Sequence, residues 1–267
     1  ASTNQKLGKY KPVDLALEER SKQDRYQRVL AATVYIEKKV VFRAKGSDKV
    51  LHKTGTGSPR LRKITDEGNV HYTGMKSGSG FCVSDKGWIV TNAHVVEVPE
   101  LDNPIKIGGA EIVMEPILDV VFSGQARRHS ARVLRYLNED DLDFAVIKIA
   151  PFEGMPVIDD FDVNIGTPDS GAETRLFGFP LGKQLRQEKD TVIASLFRGT
   201  ISRKVKPYIQ VQAVVYPGIS GGPMVDARGR VIGVVTGVQT IGSRSQIASD
   251  IGFALPVSGL KKIWPPE

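Results

Sequence analysis

The sequence predicts an all-β protein: two packed six-stranded antiparallel β-barrels, with an N-terminal helix and a short C-terminal helix. Three observations carry this. From Val34 onward the apolar residues come in short β-rich runs broken by Gly, Pro, Asn and Asp, the rhythm of strands and turns. The runs fall into two sets of about six on either side of a Pro-, Asp- and Gly-rich stretch at 151–171. The length of 267 residues fits one large domain or two small ones, which two barrels would fill.

Residues 1–33 read as a polar tail followed by a helix over Leu15–Leu30, a stretch of helix formers for which Pro12 and Asp14 give a start. Residues 34–150 are expected to form the first barrel, from strands at Val34–Phe42, Gly80–Ser84, Trp88–Thr91, Glu111–Phe122, Ala131–Tyr136 and Phe144–Ile149. Inside it, residues 44–79 break the rhythm. They carry Gly55-Thr-Gly-Ser-Pro59 and the basic residues Lys45, Lys49, Lys53, Arg60, Arg62, Lys63 and Lys76, and are expected to be an inserted surface loop or extended hairpin. Residues 151–171 read as a linker. Residues 172–267 read as the second barrel, with strands at Glu173–Phe179, Thr191–Ser202, Tyr208–Val215, Pro223–Val225, Val231–Thr236 and Ile251–Leu255, and a short helix over Val257–Trp264. There is no internal sequence repeat, so the two halves are alike in architecture only.

Composition narrows the classes. No apolar stretch approaches the roughly 20 residues of a membrane helix. The chain begins at Ala1 without an apolar signal core, and is expected to be processed or trimmed. Cys82 is the single cysteine, so no intramolecular disulfide can form. The compartment stays open, with a bacterial periplasm or cell envelope, or an organelle, as the expectation. The net charge is +7, but no aromatic-rich recognition motif accompanies it. The basic stretch is expected to be a solvated loop, and nucleic acid is not an expected partner. No cofactor or metal is expected either.

Three segments carry chemistry. In Pro217-Gly218-Ile219-Ser220-Gly221-Gly222-Pro223 a serine flanked by glycine-rich sequence sits in a tight turn. Small neighbours leave its hydroxyl exposed and let backbone N–H groups face a substrate carbonyl, the two needs of acyl transfer. Alone, the segment also fits a hairpin with a bystander serine, or the loose Gly-x-Ser-x-Gly nucleophile elbow. Chain order excludes the elbow, in which the histidine follows the serine; here His52, His71, His94 and His129 all precede Ser220. His94 ends the apolar run Gly87-Trp-Ile-Val-Thr-Asn-Ala-His94, a rigid mount for a proton-shuttling imidazole. The other three are expected in polar, charged loops and are poorer candidates. Asp143 stands directly before the strand Phe144–Ile149, where a carboxylate beside His94 would fix its tautomer; Asp140 and Asp141 read as an acidic turn. The order His, Asp, Ser is that of chymotrypsin, whereas subtilisin places Asp first.

Together with Ser77-Gly-Ser-Gly-Phe81, Phe177-Gly-Phe-Pro180, Val231-Ile-Gly-Val-Val-Thr236 and Ile251-Gly-Phe-Ala-Leu-Pro256, these segments resemble the trypsin-like superfamily, and within it the HtrA/Deg proteases, over residues 30–263. The resemblance implies a chymotrypsin-like double barrel and a serine endopeptidase that hydrolyses polypeptide substrates through an acyl-enzyme, in protein quality control or regulatory proteolysis. His94, Asp143 and Ser220 would be the triad, and the amides of Gly218 and Ser220 the oxyanion hole. Val235, Thr236, Gly237 and Val238 would hold the substrate backbone by strand addition. Val214 and Val238 would line a specificity pocket for small or medium aliphatic residues. The resemblance also implies a homo-trimer built through the N-terminal segment, with a helix docked on its own barrel as the equal alternative. It implies a regulatory role for the 44–79 insertion as well.

The chain departs from the pattern in three ways. The disulfides of secreted digestive proteases are absent. Ile219 stands where those enzymes have aspartate and HtrA proteins usually asparagine, so an ion-pair zymogen switch is not expected and the turn lacks a polar side chain to order it. The PDZ domain usual in the family is not within the 267 residues, which stop at Trp264-Pro-Pro-Glu267: the expectation is either a stop at a linker, with a PDZ or other domain beyond, or a stand-alone protease domain. The alternative function is a protease-fold binding or scaffold protein with little or no catalysis.

Overall fold

The computed structural model describes residues 15–53, 60–63, 69–98, 101, 103–139, 142–182, 191–237 and 251–266. The polar tail with Pro12 and Asp14, the Gly55–Pro59 stretch and the acidic pair Asp140 and Asp141 lie outside them. Helix α1 (Leu15–Ala32) runs straight into strand β1 (Thr33–Ala44). The Thr33 hydroxyl donates to the Val29 carbonyl at 2.7 Å, satisfying one of the carbonyls a helix end leaves without a partner. The helix docks on the chain's own barrels: Val29 and Ala32 are buried, and the Tyr26 ring lies 6.3 Å from that of Phe177.

After β1 come β2 (Lys49–Lys53), β3 (Arg60–Lys63), β4 (Asn69–Val70), β5 (Tyr72–Cys82), β6 (Trp88–Thr91), β7 (Ile105–Ile107), β8 (Ala110–Phe122), β9 (His129–Glu139) and β10 (Leu142–Ile149). The order β1-β5-β6-β10-β9-β8 closes on itself where β8 pairs with β1 from Val34↔Phe122 to Ala44↔Ile112, giving a six-stranded antiparallel barrel. The second barrel is formed by β11 (Glu173–Gly178), β12 (Ser195–Val205), β13 (Tyr208–Gln212), β14 (Pro223–Asp226), β15 (Val231–Gly237) and β16 (Ile251–Pro256), closed in the order β11-β12-β13-β16-β15-β14.

Strand alternation builds the cores of the barrels and of the joint between them. On β10, Ala145 and Ile147 point into the first barrel with Ile36, Ile89 and Phe122, while Phe144 and Val146 point outward to meet Phe177, Val225 and Leu255 of the second barrel. Successive side chains face opposite sides of a strand, so a strand apolar on both faces lines a barrel interior and the joint between barrels at once. The interior of the second barrel holds Leu176, Val211, Met224 and Ile219.

Of the two forms expected for residues 44–79, the described part takes the hairpin: β2 and β3 pair (Lys49↔Lys63), with β4 on β2. Two differences from the sequence reading concern the start of β5 and the C-terminal helix. Strand β5 begins at Tyr72 rather than Gly80, because Thr73 and Lys76 pair with Val40 and Lys38 of β1. The ladder comes from the partner strand, and a stretch exposed along one side has no apolar pattern to announce it. The C-terminal element is a 3₁₀ helix over Val257–Lys262, shorter than read, and Trp264 leaves it to pack edge-on against Trp88 at 5.5 Å.

Cys82 lies wholly buried on β5, and burial pushes its thiol up to about 11. The folded protein is expected to resist iodoacetamide near pH 8, where an exposed thiol at about 8.5 would react, and to take up one equivalent in denaturant. Mass spectrometry before and after unfolding checks this.

Candidate active site

The site lies where the end of β6, the start of β10, the outer stretch of β5 and the turn before β14 converge. After β6 the chain makes a single helical turn, α2 (Ala93–Val96), which buries Ala93, Val95 and Val96 and leaves the His94 side chain about half exposed, at 48%. The preceding Asn92 amide donates to the Asp143 carbonyl at 2.8 Å, tying α2 to the start of β10.

Asp143 and His94 meet in a fixed geometry. Asp143 Oδ2 lies 2.5 Å from His94 Nδ1, and Asp143 Oδ1 accepts the His94 backbone N–H at 2.9 Å. From the second barrel the Thr236 hydroxyl donates to Asp143 Oδ2 at 3.1 Å. Burial pulls the carboxyl upward and is the largest single influence. The hydrogen bonds and charge of His94, joined by the Thr236 hydroxyl, together outweigh it and hold Asp143 below the usual carboxylate range. A carboxylate at Nδ1 fixes the proton there and leaves Nε2 as the basic nitrogen.

Ser220 sits in a turn ordered almost entirely by backbone. Its carbonyl accepts the Ser79 N–H at 2.8 Å; Gly221 N–H donates to Val235 O at 2.7 Å, Gly222 N–H to Ile219 O at 3.0 Å, and Leu181 N–H to Pro217 O at 2.8 Å. These bonds orient two amides. A trans peptide sets its N–H opposite its C=O. With the Pro217 and Ile219 carbonyls held by Leu181 and Gly222, the N–H groups of Gly218 and Ser220 turn the other way, and neither donates to another backbone carbonyl among the described residues. Ile219 does not leave the turn loose. Its side chain is fully buried in the second barrel's core, against Gly178, so burial anchors what a polar side chain would otherwise order. Gly218 and Gly221 have φ of 103° and 88°, and a Cβ on Gly221 would collide with Ser79 O and Thr91 Oγ1.

Ser79 ties the site together. Wholly buried, its hydroxyl donates to Gly218 O at 2.7 Å and accepts the Phe179 N–H at 2.9 Å, while its carbonyl accepts the Thr91 hydroxyl at 2.7 Å. The sequence placed Ser79 in a glycine-rich segment without a role. A small polar residue between glycines on a strand was the available signal, but its partners stand 100 and 139 positions away.

The remaining residues singled out from sequence are placed as follows. Val214 is half-buried beside a groove of about 450 Å³ that Gly199 and Gln212 also border. Val235 is fully buried, its N–H and C=O occupied by Gly222 and Gly221. The Thr236 side chain supports Asp143, and Gly237 pairs with Phe253. Val238 lies outside the described residues. Two of the other histidines are not in loops: His52 is buried on β2, 3.1 Å from Lys63 O, and His129 is buried on β9, stacked on Phe152 at 4.4 Å. His71, between β4 and β5, stacks on Phe42 at 5.6 Å. Packing, not loop position, sets these three apart.

The family model for a trypsin-like peptidase domain matches residues 78–234. The chain is 29% identical over 218 residues to the serine protease HhoA of Synechocystis, covering 77% of this chain and 44% of that protein. It is 32% identical over 200 residues to the mouse serine protease HTRA4, covering 70% and 33%, and 32% identical over 190 residues to the chloroplastic protease Do-like 1 of Arabidopsis thaliana, covering 68% and 37%. It thus spans less than half the length of these curated relatives. Among solved structures, a serine endoprotease from Yersinia pestis shares the double-barrel fold, with a TM-score of 0.55 and 23% identity over 91% of this chain and 64% of that one.

Replacing Ser79 by alanine leaves the Gly218 carbonyl and the Phe179 N–H without their buried partner. Ser79→Ala is expected to lower stability by about 1–3 kcal/mol in urea unfolding and to slow reaction of Ser220 with a fluorophosphonate several-fold. Lost stability with unchanged Ser220 reactivity would confine Ser79 to packing.

Proposed function

The chain belongs to the trypsin-like peptidase family, and from that premise we propose that it is a serine endopeptidase acting through an acyl-enzyme. Ser220 Oγ attacks the scissile carbonyl, His94 Nε2 takes its proton, and Asp143 holds the imidazole and balances its charge. The Gly218 and Ser220 amides hold the oxyanion. His94 then returns the proton to the departing amine, and water, activated by the same Nε2, releases the acyl group. The observation that carries this reading is the 2.5 Å pairing of His94 Nδ1 with Asp143, which leaves Nε2 available to act as the base. The Gly218 and Ser220 amides, which donate to no backbone carbonyl among the described residues, support it.

The aliphatic character of Val214 and Val238 supports cleavage after small or medium aliphatic residues, with Thr236 and Gly237 receiving the substrate backbone along β15. Unfolded or exposed segments of proteins, which can adopt an extended strand, are the substrates this fits.

Wild-type protein is expected to label at a single serine with a fluorophosphonate, and Ser220→Ala not at all. Folded protein that fails to label would favour a binding or scaffold role. Asp143→Asn is expected to reduce kcat by about 10⁴-fold on a fluorogenic peptide. In a peptide panel, cleavage should follow Val or Ala; selective cleavage after Arg would overturn the specificity reading.

A further inference from the structure

A second feature of the cleft is basic. Beside His94, on the first-barrel side, lies a cavity of about 500 Å³ bounded by Lys38, Thr73, Lys76, Glu97 and Met114. Lys38 is almost wholly buried, with 4% of its surface exposed. Its ammonium donates to the Glu97 carbonyl, and no further acceptor for its remaining protons lies among the described residues. Lys76, on the exposed part of β5, has no ion-pair partner among them either. Glu97 also borders the cavity, and its carboxylate accepts the Asn138 amide at 2.6 Å. Burial, and then the charge of Lys76, pull the Lys38 ammonium below the ordinary lysine range despite Glu97. The cavity therefore carries an excess of positive charge. Burying an ammonium without enough acceptors is costly, and an anion entering the cavity would relieve that cost.

The position of the cavity says which part of a substrate would reach it. Strand β5 pairs with β1 along one edge, while its pairing with β6 is confined to Phe81 and Cys82. The stretch from Tyr72 to Gly78 therefore has an open edge among the described strands, and it leads from the Ser220 turn, held by Ser79, toward the cavity. Thr236 on β15 lies on the opposite, second-barrel side. A peptide whose acyl portion follows β15 would cross the site and send its departing portion along β5, over Lys76 and Lys38.

Building on the endopeptidase reading, we propose that Lys38 and Lys76 form a carboxylate-recognising subsite for the departing side of the substrate, selecting an acidic residue within the first few positions after the cleaved bond. The aliphatic requirement before the bond and the acidic one after it would then be set by different barrels.

The test uses quenched fluorescent peptides with Val before the scissile bond and amidated ends, carrying Ala, Glu or Lys at each of the three following positions. One further neutral peptide ends in a free carboxylate two residues after the bond. The expected result is a preference for Glu over Ala of roughly tenfold in kcat/KM at one position, the scale of one charge-assisted hydrogen bond, with Lys disfavoured. The Glu-to-Ala ratio should fall toward one in Lys76→Ala and in Lys38→Met, and invert toward Lys in Lys76→Glu. Lys76 is exposed, so its variants keep the test decisive if Lys38→Met fails to fold. Preference for the free-carboxylate peptide instead would support the subsite and assign it to a chain terminus. A wild-type ratio near one, with cleavage abolished by Ser220→Ala, would overturn the subsite and leave the endopeptidase reading standing. If no peptide is cut, that reading fails, and fluorescence anisotropy of the Glu and Ala peptides on Ser220→Ala still decides the subsite: equal affinities would overturn it.

Discussion

The join between strand β5 and the serine turn is the contact on which the site depends. The candidate base and nucleophile belong to different barrels, each with its own core, so nothing within either barrel fixes their separation. Ser79 supplies that constraint from the first barrel. Its N–H holds the Ser220 carbonyl and its hydroxyl bridges the Gly218 carbonyl and the Phe179 N–H. Ser79 and Phe179 are buried, so losing the Ser79 hydroxyl would leave polar groups there without a partner. The second tie runs the other way: Thr236 of the second barrel reaches Asp143 of the first. The two hydroxyl contacts cross between the barrels in opposite directions and set the serine turn and the His94 support in one frame.

Behind this polar layer the barrels are joined by an apolar one. Phe81, Val90, Phe144 and Val146 meet Phe177, Val225, Val234 and Leu255, with α1 and the C-terminal 3₁₀ helix covering the flanks. Such a joint is close-packed and resists sliding, which lets hydrogen bonds of ordinary length hold their geometry in front of it. Ile219 belongs to the same logic. Where a polar side chain could order the turn through hydrogen bonds, this chain anchors it by placing an isoleucine in the second barrel's core.

Most of the barrel strands were legible because they are apolar on two faces. The runs at Trp88–Thr91, Phe144–Ile149 and Val231–Thr236 announce themselves by composition. The bounds of strands β2, β3, β4, β7 and the outer part of β5 were not legible, because their residues are mostly polar and partly exposed and their pairing is dictated by β1, β2 and β8. His94, Asp143 and Ser220 stood out through local context and chain order. Ser79, Thr91 and Leu181 did not, because a supporting residue has no local signature: its partners are distant in sequence and often backbone groups of any residue type.

The sequence by itself therefore determined the number and approximate positions of the core strands, the chain order of the three candidate site residues, and the glycines that a tight serine turn demands. These follow from local chemistry: residue type, alternation and backbone freedom. Only the tertiary structure decided what orders the serine turn, that Ile219 is its anchor rather than its weakness, and that Lys38 is buried and, with Lys76, borders the cavity beside His94. Those outcomes depend on which strands pair across the barrel and which groups are shut away from water, and burial is a property of the whole packed chain that no short stretch of sequence contains.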